Sequence, residues 1–268
     1  MKTLVIGDVH GKYDRLRALL VQEGIVDDQT GRRINRDVKV VHLGDLGHFG
    51  GASGSPTGDQ MCWEVAEEWL DIVLWGNHDR AVVDASHVFT GYEHPQPIVR
   101  HTMQVMEAEG KLCWAYAAHG HLVTHAGLHS RFKYNDVPID KTDPVAVAEW
   151  LNMRGEDNMD ISIDQAAARH AVGRRRGGRS PHGGILWRDI EENLYSEFPQ
   201  VFGHSADHKS HAVRYCWEKG LTRKLESVPD HVKEVSYCID VGGKGDRPGD
   251  NCLAGIWLPS GDVVRVDL

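Results

Sequence analysis

Gly7-Asp8-Val9-His10-Gly11 is the stretch that decides the fold, because it lies between a strand pattern and a helix pattern. Residues 3–6 before it form a short apolar run with β-branched members, which is typical of a buried strand. Apolar residues recur at helical spacing after it, at Tyr13, Leu16, Leu19 and Leu20. Asp8 and His10 therefore lie on a glycine-flanked turn, and their i, i+2 spacing in extended backbone points both side chains the same way. A carboxylate and an imidazole so placed can share one metal ion.

The composition is that of a globular chain with one large core or two small ones: 268 residues, 41% hydrophobic and 26% charged. The formal net charge of -9 argues against a surface that coats nucleic acid and against a polybasic membrane anchor. The five cysteines include no CxxC pair, which is typical of reduced thiols in an intracellular protein. No apolar run has membrane-spanning length and no signal-peptide pattern precedes the first strand. We therefore expect a cytoplasmic protein with no membrane partner and no nucleic-acid partner.

An apolar strand that ends in a polar turn recurs four more times along the chain. The runs predicted as strands are residues 38–43, 72–75, 122–124 and 200–202. They are followed, in order, by Asp45, Asn77-His78, His125 and His204. If the strands share one sheet, these groups converge at its carboxyl edge, where layered α/β folds bind ligands. Two nearby metal ions, bound by oxygen and nitrogen donors without a thiolate, would explain the set.

The remaining patterns complete the prediction of elements and domains. A helix with Met61, Val65 and Trp69 on one face is predicted before the third strand. Further helices are predicted over residues 98–107, from an Asp143 N-cap to residue 151, and over residues 164–172. Strands are predicted over residues 237–240, 253–258 and 263–266. We expect a single domain over residues 1–268, with a mostly helical insertion at about 128–184.

The polar turns resemble, in order, the conserved blocks of the calcineurin-like metallophosphoesterases. Within that superfamily the chain is most similar to the phosphoprotein phosphatase branch and its bacterial and phage relatives. The matching blocks are Gly7-Asp8-Val9-His10-Gly11, Gly44-Asp45, Gly76-Asn77-His78-Asp79, His125-Ala126-Gly127 and Gly203-His204, extended by residues 185–187, 201–205 and 239–242. The resemblance implies an α+β fold, a β-sandwich of mixed sheets flanked by helices in four α/β/β/α layers. This expectation replaces that of one parallel sheet.

The resemblance also implies roles for single residues. Asp8, His10 and Asp45 would hold the first metal, with Asp45 bridging to a second metal completed by Asn77, His125 and His204. His78 would be the general acid that protonates the leaving oxygen, a role that suits an imidazole near neutral pH. The two divalent ions would be manganese in the first instance, with iron or zinc as alternatives, because the ligand set alone does not select the metal.

The second block departs from the family pattern. The phosphatase branch continues it as Gly-Asp-x-Val-Asp-Arg-Gly, whereas this chain has Gly44-Asp45-Leu46-Gly47-His48-Phe49-Gly50. His48 replaces the carboxylate that orients the general acid, and Phe49 replaces the arginine that grips phosphate. A phenylalanine cannot imitate a bidentate guanidinium. Candidates for a substitute are Arg179, Arg188 and Arg80, the first two being favoured, with the basic run 174–179 as a lid near the phosphate.

The expected function is two-metal hydrolysis of phosphoesters by a metal-bridging hydroxide, with His78 assisting departure. A phosphoprotein phosphatase-like phosphomonoesterase is the first expectation. A symmetrical dinucleoside polyphosphate hydrolase, acting on diadenosine tetraphosphate, is the second, because that branch also tolerates loss of the Asp-Arg pair. A nuclease is third, because the acidic charge disfavours binding of a polyanion. A catalytically silent metal-binding scaffold is an alternative from a different class. The substrate is expected to be a phosphoprotein, a nucleotide or a small phosphoester, and the oligomeric state stays open.

Overall fold

The computed structural model of the protein describes residues 1–49, 56–83, 97–153, 163–190, 192–204, 213–218, 221–225, 235–239 and 252–267. The chain divides into two compact units. The first unit comprises Met1–Cys113, Ala206–His211 and Ile239–Leu268, and the second comprises Trp114–Ser205 and Ala212–Cys238. The expectation of a single domain with an insertion stays a prediction.

The described elements are twelve strands, six α-helices and two short 3-10 helices. The strands are β1 (Lys2–Ile6), β2 (Val38–His42), β3 (Ile72–Leu74), β4 (Leu112–Cys113), β5 (Ala115–Ala118), β6 (His121–Thr124), β7 (Gln200–Phe202), β8 (Val213–Glu218), β9 (Leu221–Leu225), β10 (Val235–Cys238), β11 (Cys252–Leu258) and β12 (Asp262–Asp267). The α-helices are α1 (Tyr13–Gln22), α2 (Pro56–Trp69), α3 (Asn77–Val83), α4 (Pro97–Ala108), α5 (Pro144–Asn152) and α6 (Ile163–His170). The 3-10 helices span Ser130–Tyr134 and Arg174–Arg176.

The first unit contains a six-stranded mixed sheet in the order β12-β11-β1-β2-β3-β4. Strands β1 to β4 run parallel to one another, and β11 pairs antiparallel with both of its neighbours, β1 and β12. Residues 4–6 of β1 are fully buried on both faces, which explains why the sequence shows a continuous apolar run rather than an alternating one. The carboxyl ends of β1, β2 and β3 therefore lie at the same edge of this sheet.

Helix α1 buries the predicted residues Leu16, Leu19 and Leu20. In α2 the predicted face is wrong at Met61, whose exposed fraction is 37%. The buried stripe follows i, i+3, i+4, i+7 spacing instead, and it consists of Asp59, Cys62, Trp63, Ala66 and Trp69. Burying the large Trp63 side chain removes more apolar area from water than burying Met61 would. The helix is therefore rotated so that Trp63 faces the core, because buried apolar area sets the rotation of an amphipathic helix.

The second unit contains another six-stranded mixed sheet, in the order β5-β6-β7-β10-β8-β9. Its strands β6, β7 and β10 run parallel and the other pairs are antiparallel. The expectation that all five site-bearing strands share one sheet is therefore wrong, because β6 and β7 belong to this sheet and β1, β2 and β3 to the other. The two mixed sheets implied by the resemblance are confirmed.

Helix α5 begins as the sequence predicts. Asp143 is its N-cap, with a side-chain oxygen that accepts from the Val145 N–H at 2.9 Å, and Pro144 is the first helical residue. The helix packs into a core of the second unit together with Leu122, Phe132 and Tyr195. Between residues 128 and 184 the described elements are all helical. None of the described helices has both the length and the apolar composition needed to cross a membrane.

Candidate metal centre

Two turns of the first unit are joined backbone to backbone. The N–H groups of Val9 and His10 donate to the Asp45 carbonyl at 3.2 and 2.8 Å, and the Gly11 N–H donates to the Leu46 carbonyl at 2.8 Å. The turn after β1 and the turn after β2 thus hold a fixed register. The side chains of Asp8, His10 and Asp45 are positioned by this framework.

Asp8, His10 and Asp45 are brought together as predicted. One possible ligand atom from each residue lies within 4.8 Å of the others. Asp8 is 6% exposed and Asp45 is 1% exposed. Two buried carboxylates at this separation repel each other, so a cation between them compensates both their charge and their lost hydration. The mixed oxygen and nitrogen donors fit a divalent manganese, iron or zinc ion.

Several predicted ligands have left-handed backbone conformations. The φ angles are 51° at His10, 53° at Asp45 and, in the second unit, 67° at His204. Such angles are uncommon for residues other than glycine and concentrate at functional sites, where the surrounding structure enforces them. Their recurrence at three predicted metal ligands supports the assignment of these turns to a site.

The turn after β3 brings Asn77 and His78 to the turn after β2. The His78 N–H donates to Asp45 Oδ1 at 2.8 Å, and His78 Nε2 lies 3.9 Å from Asp45 Oδ2. Asn77 is 4% exposed. A Cβ at position 76 would lie 2.1 Å from the Asp45 nitrogen, so only glycine permits this approach of the two turns.

Asp79 supports the site by accepting hydrogen bonds from the backbone of its turns, a role that was not predicted from the sequence. Its Oδ2 accepts from the N–H groups of Asp45 at 2.6 Å, Gly76 at 3.3 Å and Leu46 at 3.4 Å, and its Oδ1 accepts from Gly47 at 3.3 Å. Complete burial raises the pKa of the Asp79 carboxyl to about 7, and these N–H groups act in the opposite direction. An acidic residue in the first turn of α3 was the available signal for this residue.

His78 keeps a partner for its ring although the family's carboxylate is missing. The backbone carbonyl of His48 lies 2.9 Å from His78 Nδ1, and because a carbonyl only accepts, Nδ1 carries the proton. The rings of His48 and His78 stack with centroids 4.9 Å apart, and the His10 ring meets His78 edge-on at 5.0 Å. His48 occupies the carboxylate's position in the sequence, and its main-chain carbonyl provides the hydrogen bond to His78.

Phe49 lies in the protein interior. Its side chain is 4% exposed, and its N–H donates to Asp59 Oδ2 at 3.0 Å while the His48 N–H donates to Asp59 Oδ1 at 2.8 Å. Asp59 is a buried residue of α2 that the sequence analysis also did not single out. The loop over residues 47–49 is thus held by carboxylates from α2 and α3, and position 49 is a packing position.

In the second unit, the turns after β6 and β7 bring His125 and His204 together. His125 Nε2 lies 3.1 Å from His204 Nδ1, and the Gly203 N–H donates to the His125 carbonyl at 2.7 Å. His125 is fully buried. Two imidazole nitrogens this close suit two ligands of one cation. The two histidines predicted for the second metal are therefore neighbours within their own unit.

The three candidate arginines differ in their surroundings. Arg188 is 1% exposed, and it donates from Nε to the Ala126 carbonyl at 2.8 Å and from Nη1 to the Glu192 carbonyl at 2.6 Å. Arg188 thus holds the turn that follows His125. Arg179 is exposed, and the Arg80 guanidinium lies 5.4 Å from the centroid of the Trp75 ring. Their roles in phosphate binding stay predictions.

The comparison with protein families identifies the class of protein. A model described as calcineurin-like phosphoesterase matches residues 1–229, so the chain belongs to the calcineurin-like phosphoesterase family. The resemblance stated from the sequence is confirmed. The protein is therefore a phosphoester hydrolase of a family that uses divalent metals, and its described residues provide candidate His/Asp groups for them.

Three solved structures are similar to this chain at low identity. A cold-active protein-tyrosine phosphatase of the psychrophile Shewanella sp. is 18% identical over 98% of this chain and 77% of its own, with a TM-score of 0.53. A candidate diadenosine tetraphosphatase is 18% identical over 99% and 93%, with a TM-score of 0.43. A protein serine/threonine phosphatase from Saccharomyces cerevisiae is 14% identical over 100% and 80%, with a TM-score of 0.48. The search of curated proteins gives no match.

Proposed function

We propose that this protein is a two-metal phosphomonoesterase of the phosphoprotein phosphatase type. The observation that carries the proposal is the position of His78 beside the cluster of Asp8, His10 and Asp45. His78 Nε2 lies 3.9 Å from Asp45 Oδ2 while Nδ1 is held by the His48 carbonyl. A proton donor is thereby fixed next to a group of cation ligands, which is the arrangement that phosphoester hydrolysis requires.

The proposed ligands are those that the family membership implies. Asp8, His10 and Asp45 would hold one divalent ion, and Asn77, His125 and His204 would hold the second together with Asp45. Manganese is the proposed metal, and iron and zinc suit the same donors. Bound divalent ions polarise phosphoryl oxygens and provide a nucleophilic water near neutral pH.

The chain's own residues position and transfer protons. The His48 carbonyl fixes the orientation of His78, so that an imidazolium at this position presents Nε2–H to the leaving oxygen. Asp79 holds the N–H groups of the turn that carries Asp45, and so keeps that carboxylate in register with His78. The products are then an alcohol and phosphate.

A second candidate is a symmetrical dinucleoside polyphosphate hydrolase. The observation that favours it is Phe49, which is buried at the position where the phosphatase branch keeps its phosphate-gripping arginine. Arg179, Arg188 or Arg80 would then contact the phosphates of either substrate. We further propose that the enzyme acts in the cytoplasm on a phosphoprotein, a nucleotide or a small phosphoester.

The test is turnover of p-nitrophenyl phosphate, bis-p-nitrophenyl phosphate and diadenosine tetraphosphate, side by side with added manganese. The controls are His78→Asn and Asn77→Ala, with the exposed His101→Ala as a matched substitution outside the site. Preferential, His78-dependent release from the monoester supports the first candidate. Preference for the dinucleotide supports the second. No turnover of any of the three substrates, with two metals bound, contradicts both candidate functions and supports the catalytically silent scaffold.

A further inference from the structure

A second group of metal-ligand side chains lies in the second unit. One possible ligand atom from each of His129, His182 and Glu192 lies within 4.8 Å of the others. These residues belong to three separate segments, and none of them is among the six ligands proposed above. No sequence motif joins positions this far apart, so none of the three was predicted as a ligand.

The backbone holds these three segments together. The residue pair His129 and Leu194 forms an isolated antiparallel bridge, and the Ser130 N–H donates to the Asn193 carbonyl at 2.9 Å. The Gly183 N–H, next to His182, donates to Glu192 Oε2 at 2.8 Å. Side chains supported in this way need little reorganisation to bind an ion.

Glu192 presents a carboxylate oxygen that the described protein atoms do not satisfy. The residue is 8% exposed, and its Oε1 is buried with no hydrogen-bond partner among the described residues. A Cβ at position 173 would lie 2.7 Å from this oxygen, so Gly173 leaves the room that the carboxylate occupies. A buried carboxylate oxygen without a donor is unfavourable, and a cation is one way to compensate it.

The rings of His129 and His182 lie against each other. Their rings stack with centroids 4.1 Å apart and an interplanar angle of 23°, an arrangement in which two imidazolium charges would repel each other. Burial, and then the charges of His182, Arg188 and Arg131, lower the pKa of His129 to about 3. A neutral imidazole is the form that binds metal.

We propose that His129, His182 and Glu192 form a zinc site of their own, made of residues that the two-metal set does not use. Two imidazoles and one carboxylate are an established ligand set for zinc, with water as a fourth ligand. Ligands of tetrahedral zinc lie roughly 3.4 Å apart, so the side chains close slightly around the ion. The Arg131 N–H donates to His129 Nδ1 at 2.9 Å, at an exposed helix start. A water molecule can accept from this N–H in place of the imidazole when the ring binds the metal.

The test is zinc bound per chain after equilibrium dialysis, together with the rise in melting temperature on zinc addition. His129→Asn removes the ring while its amide oxygen keeps the cap on the Arg131 N–H. Glu192→Gln keeps the acceptor for Gly183 and removes the charge, and His182→Ala alters a half-exposed position. His101→Ala is the matched control.

Each of the three variants is expected to bind one zinc fewer per chain than the wild type, whereas His101→Ala binds the same number. The zinc-dependent rise in melting temperature should shrink in the same three variants, because an ion that binds only the folded state stabilises it. Equal zinc content in wild type and variants overturns the proposal. Because the criterion is a difference of one ion, its failure is distinct from a loss of phosphoester turnover, which tests the other site.

Discussion

Asp79 is the residue that ties together two turns of the first unit, those after β2 and β3. Its two oxygens accept from four backbone N–H groups and it is fully buried. In Asp79→Asn an amide NH₂ faces backbone donors, so we expect a loss of about 1–3 kcal/mol in the free energy of unfolding. The affinity for manganese should fall as well. Urea unfolding and a manganese titration measure both effects.

The matched control for this substitution is Asp37→Asn, an exposed position. It should change the free energy of unfolding by less than about 0.5 kcal/mol. Equal stability of Asp79→Asn and Asp37→Asn would contradict the supporting role of Asp79.

The carbonyl of His48, rather than its ring, is expected to matter for turnover. His48→Ala leaves the main-chain hydrogen bond to His78 Nδ1 in place, so kcat should stay within about 10-fold of the wild type. His78→Asn removes the proton donor and should lower kcat by roughly 100-fold or more. Similar losses in both variants would show that the stacked His48 ring takes part in the reaction.

His42 makes the first unit sensitive to acid. The ring is fully buried, Nδ1 accepts from the Gly44 N–H at 3.1 Å, and burial lowers its pKa to about 3. In the unfolded chain the pKa is near 6.5, so the unfolded state binds the extra proton between about pH 6.5 and pH 3. The stability of the folded state is therefore complete above pH 6.5 and falls as the pH drops through this window, at up to about 1.4 kcal/mol per pH unit.

Unfolding free energies between pH 4 and 7, measured with a chelator so that metal binding does not contribute, test this expectation. His42→Asn keeps an acceptor for Gly44 and should flatten the pH dependence, whereas the exposed His101→Asn should leave it unchanged. An unaltered slope in His42→Asn would contradict the account.

At the scale of elements, the packing of the loop over residues 47–49 predicts the effect of placing the family's arginine at position 49. We expect this arginine to destabilise the protein without improving phosphate binding. The Phe49 side chain is 4% exposed, and the loop is tied to Asp59. Phe49→Arg buries an unpaired guanidinium, so the free energy of unfolding should fall by about 3–5 kcal/mol. The KM for p-nitrophenyl phosphate should not improve. Phe49→Leu is the control that keeps an apolar side chain, and a stable Phe49→Arg with a lower KM would contradict the assignment.

Element prediction succeeded where local signals were strong and failed where pairing decided the outcome. The apolar runs at β1, β2, β3 and β7 were visible in the sequence because these strands are buried. Strands β8 and β9 were not predicted, since charged residues interrupt both segments. Helix α3 was expected to be a turn, because Asn77 and its neighbours favour turns when judged by type alone.

At the scale of the whole molecule, the polar turns that follow the strands were predictable and the distribution of those strands over two sheets was not. A polar turn after an apolar strand is a local pattern, and it predicted Asp8, His10 and Asp45 correctly as neighbours. Sheet membership depends on pairing between distant segments, such as β1 with β11, which periodicity does not show. The family resemblance, rather than the strand patterns, predicted two mixed sheets.

The roles of His129, Glu192 and the His48 carbonyl lay beyond sequence reasoning for a related reason. A main-chain carbonyl is present at every position, so its use by His78 leaves no trace in residue type. His129 and Glu192 meet only because backbone bonds align residues 128–130 with residues 193–195. Both features are properties of the folded chain.

The measurement that tests the central claim most directly is turnover of p-nitrophenyl phosphate before and after metal removal. We expect turnover to disappear when the enzyme is stripped with a chelator and to return when manganese is restored. Asp45→Asn, which changes the carboxylate beside Asp8 and His10, should stay inactive at the same manganese concentration, whereas His101→Ala should behave as the wild type. Undiminished turnover by the stripped enzyme, or wild-type turnover by Asp45→Asn, would contradict the assignment of this protein as a metal-dependent phosphoesterase acting through these residues.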